Sequence, residues 1–398
     1  MTIRRIETIT MEAGVGLPGL VFLNLHTDDG LVGHGESYYV PRAVEAFIHD
    51  FASQVLLGAD EGHIERIWRK LYDLSARFGA RGTEMRAISA IDLALWDLAG
   101  KRAGQPVHRL LGGAVRDAIP VYNTCGGPTY GQGRFPAHGV TDGDSAMEDL
   151  KGFLERPGDL AEELLEYGFT AMKIWPFDRV AQERGSMLIS PADLARGIAP
   201  LEQIRDRVGD RIDVMIEGHG YWTVPTATKI ARALEPLAPA WIEDLILAHR
   251  PAALRRLRES TSIPLSVSEY LMTRWEYLPV LEDEAADLFM IDPTWAGGIT
   301  ETRKIASLVD SFGFPVTMHD CTGPFTMLAG MAVAASSPNA MYQEVVRAYL
   351  HHVYPQWVDF VPTVRQGGTV ALPERPGLGA NLHPDLAGRD GYRSRITE

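Results

Sequence analysis

The sequence predicts an α/β protein whose main part is a closed barrel of eight parallel strands. From residue 119 onward, short apolar runs alternate with helical stretches, an order that is typical of a parallel sheet. Eight such runs occur, and eight β-α repeats are enough to close a barrel. The runs are IPVYNT, GFTAMKIW, IDVMIE, PAWIED, IPLSVSE, ADLFMID, FPVTMH and NAMYQE.

A smaller α+β domain is predicted before the barrel. Residues 3–40 alternate apolar and polar positions, and Asp29-Gly30 is a hairpin signal. Apolar side chains then recur at helical spacing through MRAISAIDLALWDLAGKRAG. We therefore predict an N-terminal domain over residues 1–118, a barrel over 119–360 and a Pro- and Gly-rich returning tail over 361–398.

Composition restricts the partners and the location. Of the 398 residues, 45% are apolar and 23% are charged, and the formal net charge is −14. This acidic balance argues against nucleic acid or an anionic membrane as a partner, because both require a basic surface. Two cysteines, Cys125 and Cys321, predict no disulfide framework. Without a signal-like N-terminus or a run of ~18 apolar residues, we expect a cytoplasmic protein.

Three acidic residues end successive predicted strands. Glu217, Glu243 and Glu269 close the third, fourth and fifth runs at equal intervals of 26 residues. The carboxyl ends of barrel strands meet at one face, so these carboxylates should converge and repel one another unless a cation joins them. Each acid alone is better explained by a structural ion pair, but the equal spacing favours a metal site. All-oxygen ligands favour Mg²⁺, with Mn²⁺ as a substitute.

Groups able to move protons occupy other strand ends. His319 closes the seventh run, and Asp292, at the end of the sixth, would fix its tautomer and raise its basicity. His219 follows the third run. Lys173 offers a cation at the second, and Glu344 ends the eighth, where it would hydrogen-bond a substrate carboxylate if protonated or linked through water. A single histidine is more often structural, but this placement favours catalysis.

Two long connections are predicted to cover the barrel mouth, at 128–149 and 176–192, because loops of this length after strands are often functional lids. Three polar residues, His34, Arg134 and His138, also fall in predicted loops. We expect these three side chains to be solvated at the surface.

Several longer motifs carry a family resemblance. They are AISAIDLALWDLAGKRAGQPVHRLLGG at 87–113, the acids in WIEDL and SVSEY, DPTWAGGITE at 292–301, and PERPGLGANL in the tail. Together they resemble the mandelate racemase branch of the enolase superfamily over nearly the whole chain. The resemblance implies a modified (β/α)₇β barrel and an N-terminal capping domain completed by the C-terminal tail. It also implies an essential Mg²⁺, an ene-diolate formed by removing the proton α to a carboxylate, and a homo-oligomer, a dimer or an octamer.

Local departures indicate which branch is closest. The stretch Lys173-Ile174-Trp175 lacks the second lysine that serves many relatives as a base, which disfavours a two-base racemase. The stretch Glu217-Gly218-His219-Gly220 is similar to that of galactonate dehydratase and related sugar-acid dehydratases, whose histidine is the general acid. The separation of 100 residues between His219 and His319 is similar as well.

The sequence therefore predicts a Mg²⁺-dependent dehydratase of an aldonate or aldarate. His319 would remove the α-proton and His219 would protonate the departing β-hydroxyl, giving a 2-keto-3-deoxy acid. Lys173 would contact the substrate carboxylate.

The residues around the predicted acid should shape the substrate. Trp175, Tyr221 and Trp222 are expected substrate contacts, because they depart from the resemblance. Gly218 and Gly220 are expected to leave room for metal and substrate near the backbone.

Two alternatives stay open. An epimerase, racemase or cycloisomerase could act on a related hydroxy acid through the same ene-diolate. A non-catalytic relative on the same scaffold would require the loss of a metal ligand or of His319, and all of these residues are present.

Overall fold

The computed structural model describes residues 1–11, 19–79, 81–128, 130 and 147–398. Its strands are β1 (Ile3–Met11), β2 (Val21–Thr27), β3 (Val32–Ser37), β4 (Ala118–Thr124), β5 (Ala171–Ile174), β6 (Asp213–Glu217), β7 (Trp241–Glu243), β8 (Leu265–Val267), β9 (Leu288–Ile291), β10 (Val316–Met318), β11 (Ala340–Val345), β12 (Val364–Arg365), β13 (Thr369–Ala371) and β14 (Tyr392–Thr397).

The α-helices of the described residues are α1 (Pro41–Ala46), α2 (Ser53–Leu56), α3 (Ile64–Ser75), α4 (Thr83–Ala103), α5 (Val107–Leu110), α6 (Asp149–Glu155), α7 (Pro157–Tyr167), α8 (Asp178–Arg184), α9 (Pro191–Val208), α10 (Val224–Leu234), α11 (Pro251–Arg258), α12 (Thr273–Glu282), α13 (Pro293–Ala296), α14 (Gly298–Ser311) and α15 (Pro324–Ser336). Short π-helical turns cover Phe47–Ala52 and Tyr349–Val353, and 3₁₀ turns cover Glu235–Leu237, Tyr354–Gln356 and Leu386–Gly388.

Strands β4 to β11 form the predicted barrel. Neighbouring strands pair in parallel in chain order, and β11 pairs in parallel with β4, which closes the sheet. Each of the eight apolar runs contains or overlaps one of these strands. The predicted fold class, a parallel barrel with an N-terminal domain completed by the tail, is confirmed.

Three of the strands end earlier than the sequence predicts. Strand β8 stops two residues before Glu269, and β9 and β10 each stop one residue before Asp292 and His319. At Asp292 the reason is local. Its side chain accepts hydrogen bonds from the backbone N–H groups of Thr294 and Trp295, which starts α13 instead of extending the strand. These functional groups therefore lie just beyond the sheet, on the barrel mouth.

Large side chains fill the barrel beneath the mouth. Tyr122, Met215, Trp241 and Met290 form a buried cluster within the barrel, with Tyr122 and Trp241 packed edge to face at 5.6 Å between ring centroids. A packed interior of this kind leaves the mouth as the place for ligands. A separate and larger apolar core lies between the strands and the surrounding helices.

The N-terminal domain is an antiparallel sheet of order β14-β1-β2-β3, with α4 packed on it. Gly35 lies against the backbone of α4, and a Cβ there would collide with the carbonyl oxygen of Ala90. The C-terminal tail first adds β13 to the barrel strand β4 and then pairs β14 with β1. The tail therefore joins both parts of the molecule.

Two acids of the N-terminal domain hold it against the barrel mouth. Glu36 accepts a hydrogen bond from the backbone N–H of Thr326 at 2.6 Å, and Asp92 accepts one from that of Thr300 at 2.9 Å. These amides lie at the N-termini of α15 and α14, where a carboxylate is favoured. Because helices that follow barrel strands begin at the mouth, both contacts place the N-terminal domain over it.

The expectation for His34 is wrong. Its side chain is buried on β3, Nδ1 lies 2.8 Å from Asn24 Oδ1, and the ring stacks on Phe325. It faces the contact between the N-terminal domain and the barrel. Alternation of apolar and polar residues shows that a strand has two different faces, but it does not show whether the polar face meets solvent or another domain. Arg134, His138 and most of the connection at 128–149 lie outside the described residues.

The connection at 176–192 is not a plain loop, because it contains helix α8. Cys125 and Cys321 are both free thiols. Within the described part of the chain, we find no helix with the length and apolar character required to cross a bilayer.

Candidate active site

Three carboxylates converge at the mouth, as their spacing predicted. Glu217, Glu243 and Glu269 each offer an oxygen within 4.8 Å of the others, and all three are buried. Burial raises the pKa of Glu243 to about 8; Lys173 opposes this and repulsion from Glu217 adds to it. Glu269 Oε2 is buried without a hydrogen-bond partner. This all-oxygen cluster, crowded and incompletely satisfied, fits a hard divalent cation.

Lys173 lies in the middle of the acids. Its Nζ is 2.7 Å from Glu243 Oε1, 3.0 Å from Glu344 Oε1 and 3.4 Å from Glu217 Oε2. Burial opposes its charge, but Glu243 and Glu344 hold the pKa of the lysine well above its usual range. The lysine therefore stays charged, next to the carboxylate cluster, near the end of β5.

Glu344 is held as a carboxylate. Besides Lys173, the Thr124 hydroxyl and the Asp320 backbone N–H donate to it, the latter at 3.2 Å. Burial alone would raise the pKa of Glu344, but Lys173 and His319 lower it below the usual value. The protonated form considered from the sequence is therefore disfavoured, because the lysine of β5 reaches the end of β11.

His319 forms a pair with Asp292. His319 Nδ1 lies 2.7 Å from Asp292 Oδ2, both side chains are buried, and the imidazole packs on the Trp295 ring at 5.1 Å. Burial disfavours the imidazolium, yet Cys321, Glu344 and Asp292 raise the pKa of His319 well above its usual range. Positive charge bound at the acids would lower the pKa again. Asp292 contacts Nδ1, and Nε2, which lies 3.6 Å from Cys321 Sγ, is the nitrogen able to exchange a proton.

A second pair has the same form. His219 Nδ1 lies 2.5 Å from Asp178 Oδ2, and the His219 backbone N–H donates to Glu217 Oε1 at 2.6 Å. Burial opposes the charge, but Asp178 and Glu217 raise the pKa of His219 to about 10. The residue also has a positive φ of 45°, an uncommon backbone conformation that is found at functional sites. His219 is therefore oriented, and the neighbouring acids favour its protonated form.

The two histidines lie on opposite sides of the mouth. His219 follows β6 and His319 follows β10, and in the closed order of eight strands three strands separate these two on either path. The three acids end or follow β6, β7 and β8, on the arc between them. A small molecule bound at the acids would thus have one histidine on each side.

The family models match both parts of the chain. Residues 8–112 match the mandelate racemase/muconate lactonizing enzyme N-terminal domain, and residues 158–386 match the enolase C-terminal domain-like model. The chain belongs to the mandelate racemase branch of the enolase superfamily. The resemblance drawn from the sequence motifs is thereby confirmed.

Relatives of this enolase-superfamily enzyme are similar over more than nine tenths of their length. A D-galactonate dehydratase of Variovorax paradoxus is 32% identical over 392 residues, which covers 96% of this chain and 92% of the relative. A crystal structure of an enolase protein from Sargasso Sea environmental sequencing is 36% identical, with a TM-score of 0.87 and coverage of 100% and 98%. An enolase of the mandelate racemase subgroup from Agrobacterium tumefaciens is 35% identical, with a TM-score of 0.87 and coverage of 100% and 99%.

In this enolase-superfamily site, the three aromatic residues predicted near the substrate surround the His219 side. Trp175 is buried and its ring lies 5.9 Å from that of His219, edge to face. Tyr221 is partly buried, 6.4 Å from the same imidazole. Trp222 lies in the apolar core, where its indole N–H is buried without a hydrogen-bond partner. Their contacts with a substrate stay a prediction.

The expectation for Gly218 and Gly220 is corrected. A Cβ at Gly218 would lie 2.9 Å from the Cα of Leu245, and one at Gly220 would press on the side chain of Leu247. Gly220 also has a φ of 69°. Both glycines therefore permit close packing against the chain that follows β7, instead of leaving room for metal and substrate.

Sequence reasoning missed two residues of the site. Asp178 was passed over because it lies 41 residues before His219; its place at the start of a helix just after β5 was the available signal. Asp244 is buried beside Glu243 and accepts a hydrogen bond from Ser268 Oγ at 2.7 Å. Burial, reinforced by Glu269 and Glu217, holds the pKa of Asp244 well above its usual range.

Proposed function

We propose that this enzyme is a divalent-cation-dependent dehydratase of a sugar acid, an aldonate or an aldarate. The observation that carries the proposal is the pair of carboxylate-oriented histidines, His319–Asp292 and His219–Asp178, on opposite sides of the acidic cluster. Elimination of water needs one base and one acid. The relatives that bear the name D-galactonate dehydratase support the same reaction class.

The proton α to the carboxylate is removed by His319 in this proposal. Asp292 accepts from Nδ1, so that Nε2 is the basic nitrogen and faces the substrate. Lys173, charged and buried, stabilises the substrate carboxylate as negative charge moves onto it. Glu344 positions the lysine and takes no part as an acid.

The β-hydroxyl leaves with a proton from His219. Hydroxide is a poor leaving group, and an imidazolium held by Asp178 is a suitable donor. Because His219 and His319 follow strands on opposite sides of the barrel, the proton and the hydroxyl would depart from opposite faces. The enol product then takes up a proton at the former β-carbon and becomes the 2-keto-3-deoxy acid.

Glu217, Glu243 and Glu269 would hold the cation, Mg²⁺ or, as a substitute, Mn²⁺. When bound, the cation supplies positive charge that stabilises the substrate carboxylate during proton removal. The spacing of the acid oxygens and the unpartnered oxygen of Glu269 support this assignment.

Trp175 and Tyr221, which flank His219, would limit the shape of the substrate on the leaving-group side. Trp222 would support this side of the site indirectly, because it lies in the apolar core against which Tyr221 packs. The partner is a small carboxylate. A homo-oligomeric state, a dimer or an octamer, and a cytoplasmic location stay predictions from the sequence.

An isomerase is the second candidate, because a histidine on each face could also return a proton to the α-carbon from the opposite side. The relatives that bear the name D-galactonate dehydratase favour the dehydratase, because a protonated His219 could donate in either reaction.

The test is a screen of aldonic and aldaric acids with the Mg²⁺-loaded enzyme, using semicarbazide to detect 2-keto acids. We expect a 2-keto product from at least one acid. Turnover of an acid to an isomer, with no semicarbazide-reactive product from any member of the panel, would contradict the dehydratase.

Asp178→Asn is expected to slow dehydration by about 10²-fold, because His219 loses the charge that orients and protonates it. Exchange of the α-proton with solvent D₂O, which needs only His319, should persist near the wild-type rate. Product formation and deuterium uptake are measured in parallel, and Asp210→Asn, at an exposed aspartate, is the control. An equal loss of both rates would show that Asp178 does not act through the acid step.

A further inference from the structure

A cation and three aromatic rings form the wall of the mouth on the side of the capping domain. Arg86 of α4 lies with its guanidinium carbon 4.3 Å from the Trp295 ring centroid and 5.1 Å from that of Tyr39. Tyr270, which follows the acid Glu269, stacks on Trp295 at 6.1 Å. We call Arg86, Tyr39, Tyr270 and Trp295 the distal wall.

The distal wall borders the catalytic base directly. The Trp295 ring, which contacts the Arg86 guanidinium on its face, also packs on the His319 imidazole, with 5.1 Å between ring centroids. The guanidinium and the base therefore contact the same indole. Trp295 follows β9 and Lys173 lies on β5, and three strands separate β5 from β9 on either path round the closed barrel. The two residues therefore lie across the mouth from each other. A substrate whose carboxylate lies at Lys173 would cross the mouth toward Arg86.

The charge of Arg86 is not neutralised locally. Among the described residues it forms no ion pair, and its Nη1 donates to the backbone carbonyl of Tyr38 at 2.9 Å. Burial lowers the pKa of Arg86, and the nearby acid Asp292 already serves His319. Arg347, which is buried, binds Asp149 at 2.6 Å, whereas the partly buried Arg86 has carbonyl and aromatic contacts. An arginine withdrawn from water without an anion is costly, unless a ligand supplies the anion.

A second donor beside it is unsatisfied. The Trp295 side chain is 2% exposed, and its indole N–H has no hydrogen-bond partner in the described part of the chain. Buried donors are almost always paired. A guanidinium and an indole N–H on one wall match the acceptors of a carboxylate.

We propose that Arg86 and Trp295 bind a second carboxylate, at the end of the substrate remote from Lys173. The substrate class is then the aldarates, sugar acids with a carboxylate at each end, and not the aldonates. This inference rests on the proposed function for the position of the first carboxylate. It makes Arg86 a specificity residue supplied by the capping domain.

The direct test is binding, and it requires no turnover. Adipate and hexanoate have six carbons and no stereocentres, and they differ only in the second carboxylate. Isothermal titration of the Mg²⁺-loaded protein should give an affinity for adipate at least about tenfold higher, the effect expected of one charge-assisted contact. In Arg86→Met this preference should disappear. Arg86→Lys keeps the positive charge but loses the planar guanidinium, which can bind a carboxylate through two parallel hydrogen bonds. The preference for adipate should therefore be smaller in this variant.

Two further variants separate binding from structure. Trp295→Phe keeps an aromatic ring beside His319 and removes the N–H together with part of the indole surface, so it should reduce the adipate preference. Arg66→Met, at an exposed arginine of α3, should leave the preference unchanged. Equal affinities in the wild type, or a preference that survives both Arg86→Met and Trp295→Phe, would overturn the subsite. If Arg86→Met is unfolded, Arg86→Lys and Trp295→Phe still decide the result.

Turnover provides the second readout. For aldonate–aldarate pairs of matching configuration, kcat/KM should favour the aldarate in the wild type, and Arg86→Met should remove that bias mainly through KM. A bias toward the aldonate would contradict the subsite. Adipate selectivity without 2-keto product from any sugar acid would instead contradict the proposed function and leave the subsite standing.

Discussion

His319→Asn is expected to lose about 10²- to 10⁴-fold in kcat, the usual contribution of a positioned general base. Asparagine can still donate a hydrogen bond to Asp292, so the buried carboxylate keeps a partner. It has no basic nitrogen, and so both dehydration and exchange of the α-proton with D₂O should fall together. This joint loss distinguishes His319 from His219 and Asp178, whose loss should spare the exchange.

The fold should survive that substitution, because His319 lies at the mouth and not among the side chains that fill the barrel. Thermal unfolding followed by circular dichroism checks this point. His249→Asn, at an exposed histidine, is the matched control. Near-wild-type exchange in folded His319→Asn would remove His319 from the role of base.

Glu243→Gln should weaken Mg²⁺ binding by at least about tenfold, since it removes one of three charged ligands. The glutamine keeps a carbonyl oxygen that can still accept from the Trp241 indole N–H. The loss would therefore reflect charge and not a broken core. Calorimetric titration with Mg²⁺ measures the affinity directly, without any substrate.

The control for that titration is Glu155→Gln, at an exposed glutamate at the end of α6. It has the same change in net charge and should bind Mg²⁺ as the wild type does. Unchanged affinity in Glu243→Gln would mean that the acids form a structural cluster around Lys173, as their direct contacts with the lysine would also allow.

Much of the barrel could be predicted because its signals are local. Each buried parallel strand is a short apolar run, and the helices between them have their own period. The equal spacing of Glu217, Glu243 and Glu269 then made their convergence a geometric consequence of strand order. The strand ends could not be predicted in the same way, because a residue there can either continue the sheet or start the next helix. Asp292 starts α13 and so ends β9 one residue earlier than the apolar run suggests.

The missing parts of the site depend on contacts between distant segments. Asp178 reaches His219 from the start of α8, and Arg86 reaches Trp295 only because α4 of the capping domain packs on α13 and α14. Neither contact leaves a periodic trace in the sequence. His34 was misplaced for the same reason, since the domain contact buries it.

Elimination of water from a sugar acid can be observed directly by turnover in D₂O of an acid found in the screen, followed by mass spectrometry and NMR. We expect a product that has lost one water, with a keto group at C2 and one deuteron at C3. A product that keeps every hydroxyl and carries its deuteron at C2 would contradict this expectation and establish an isomerase.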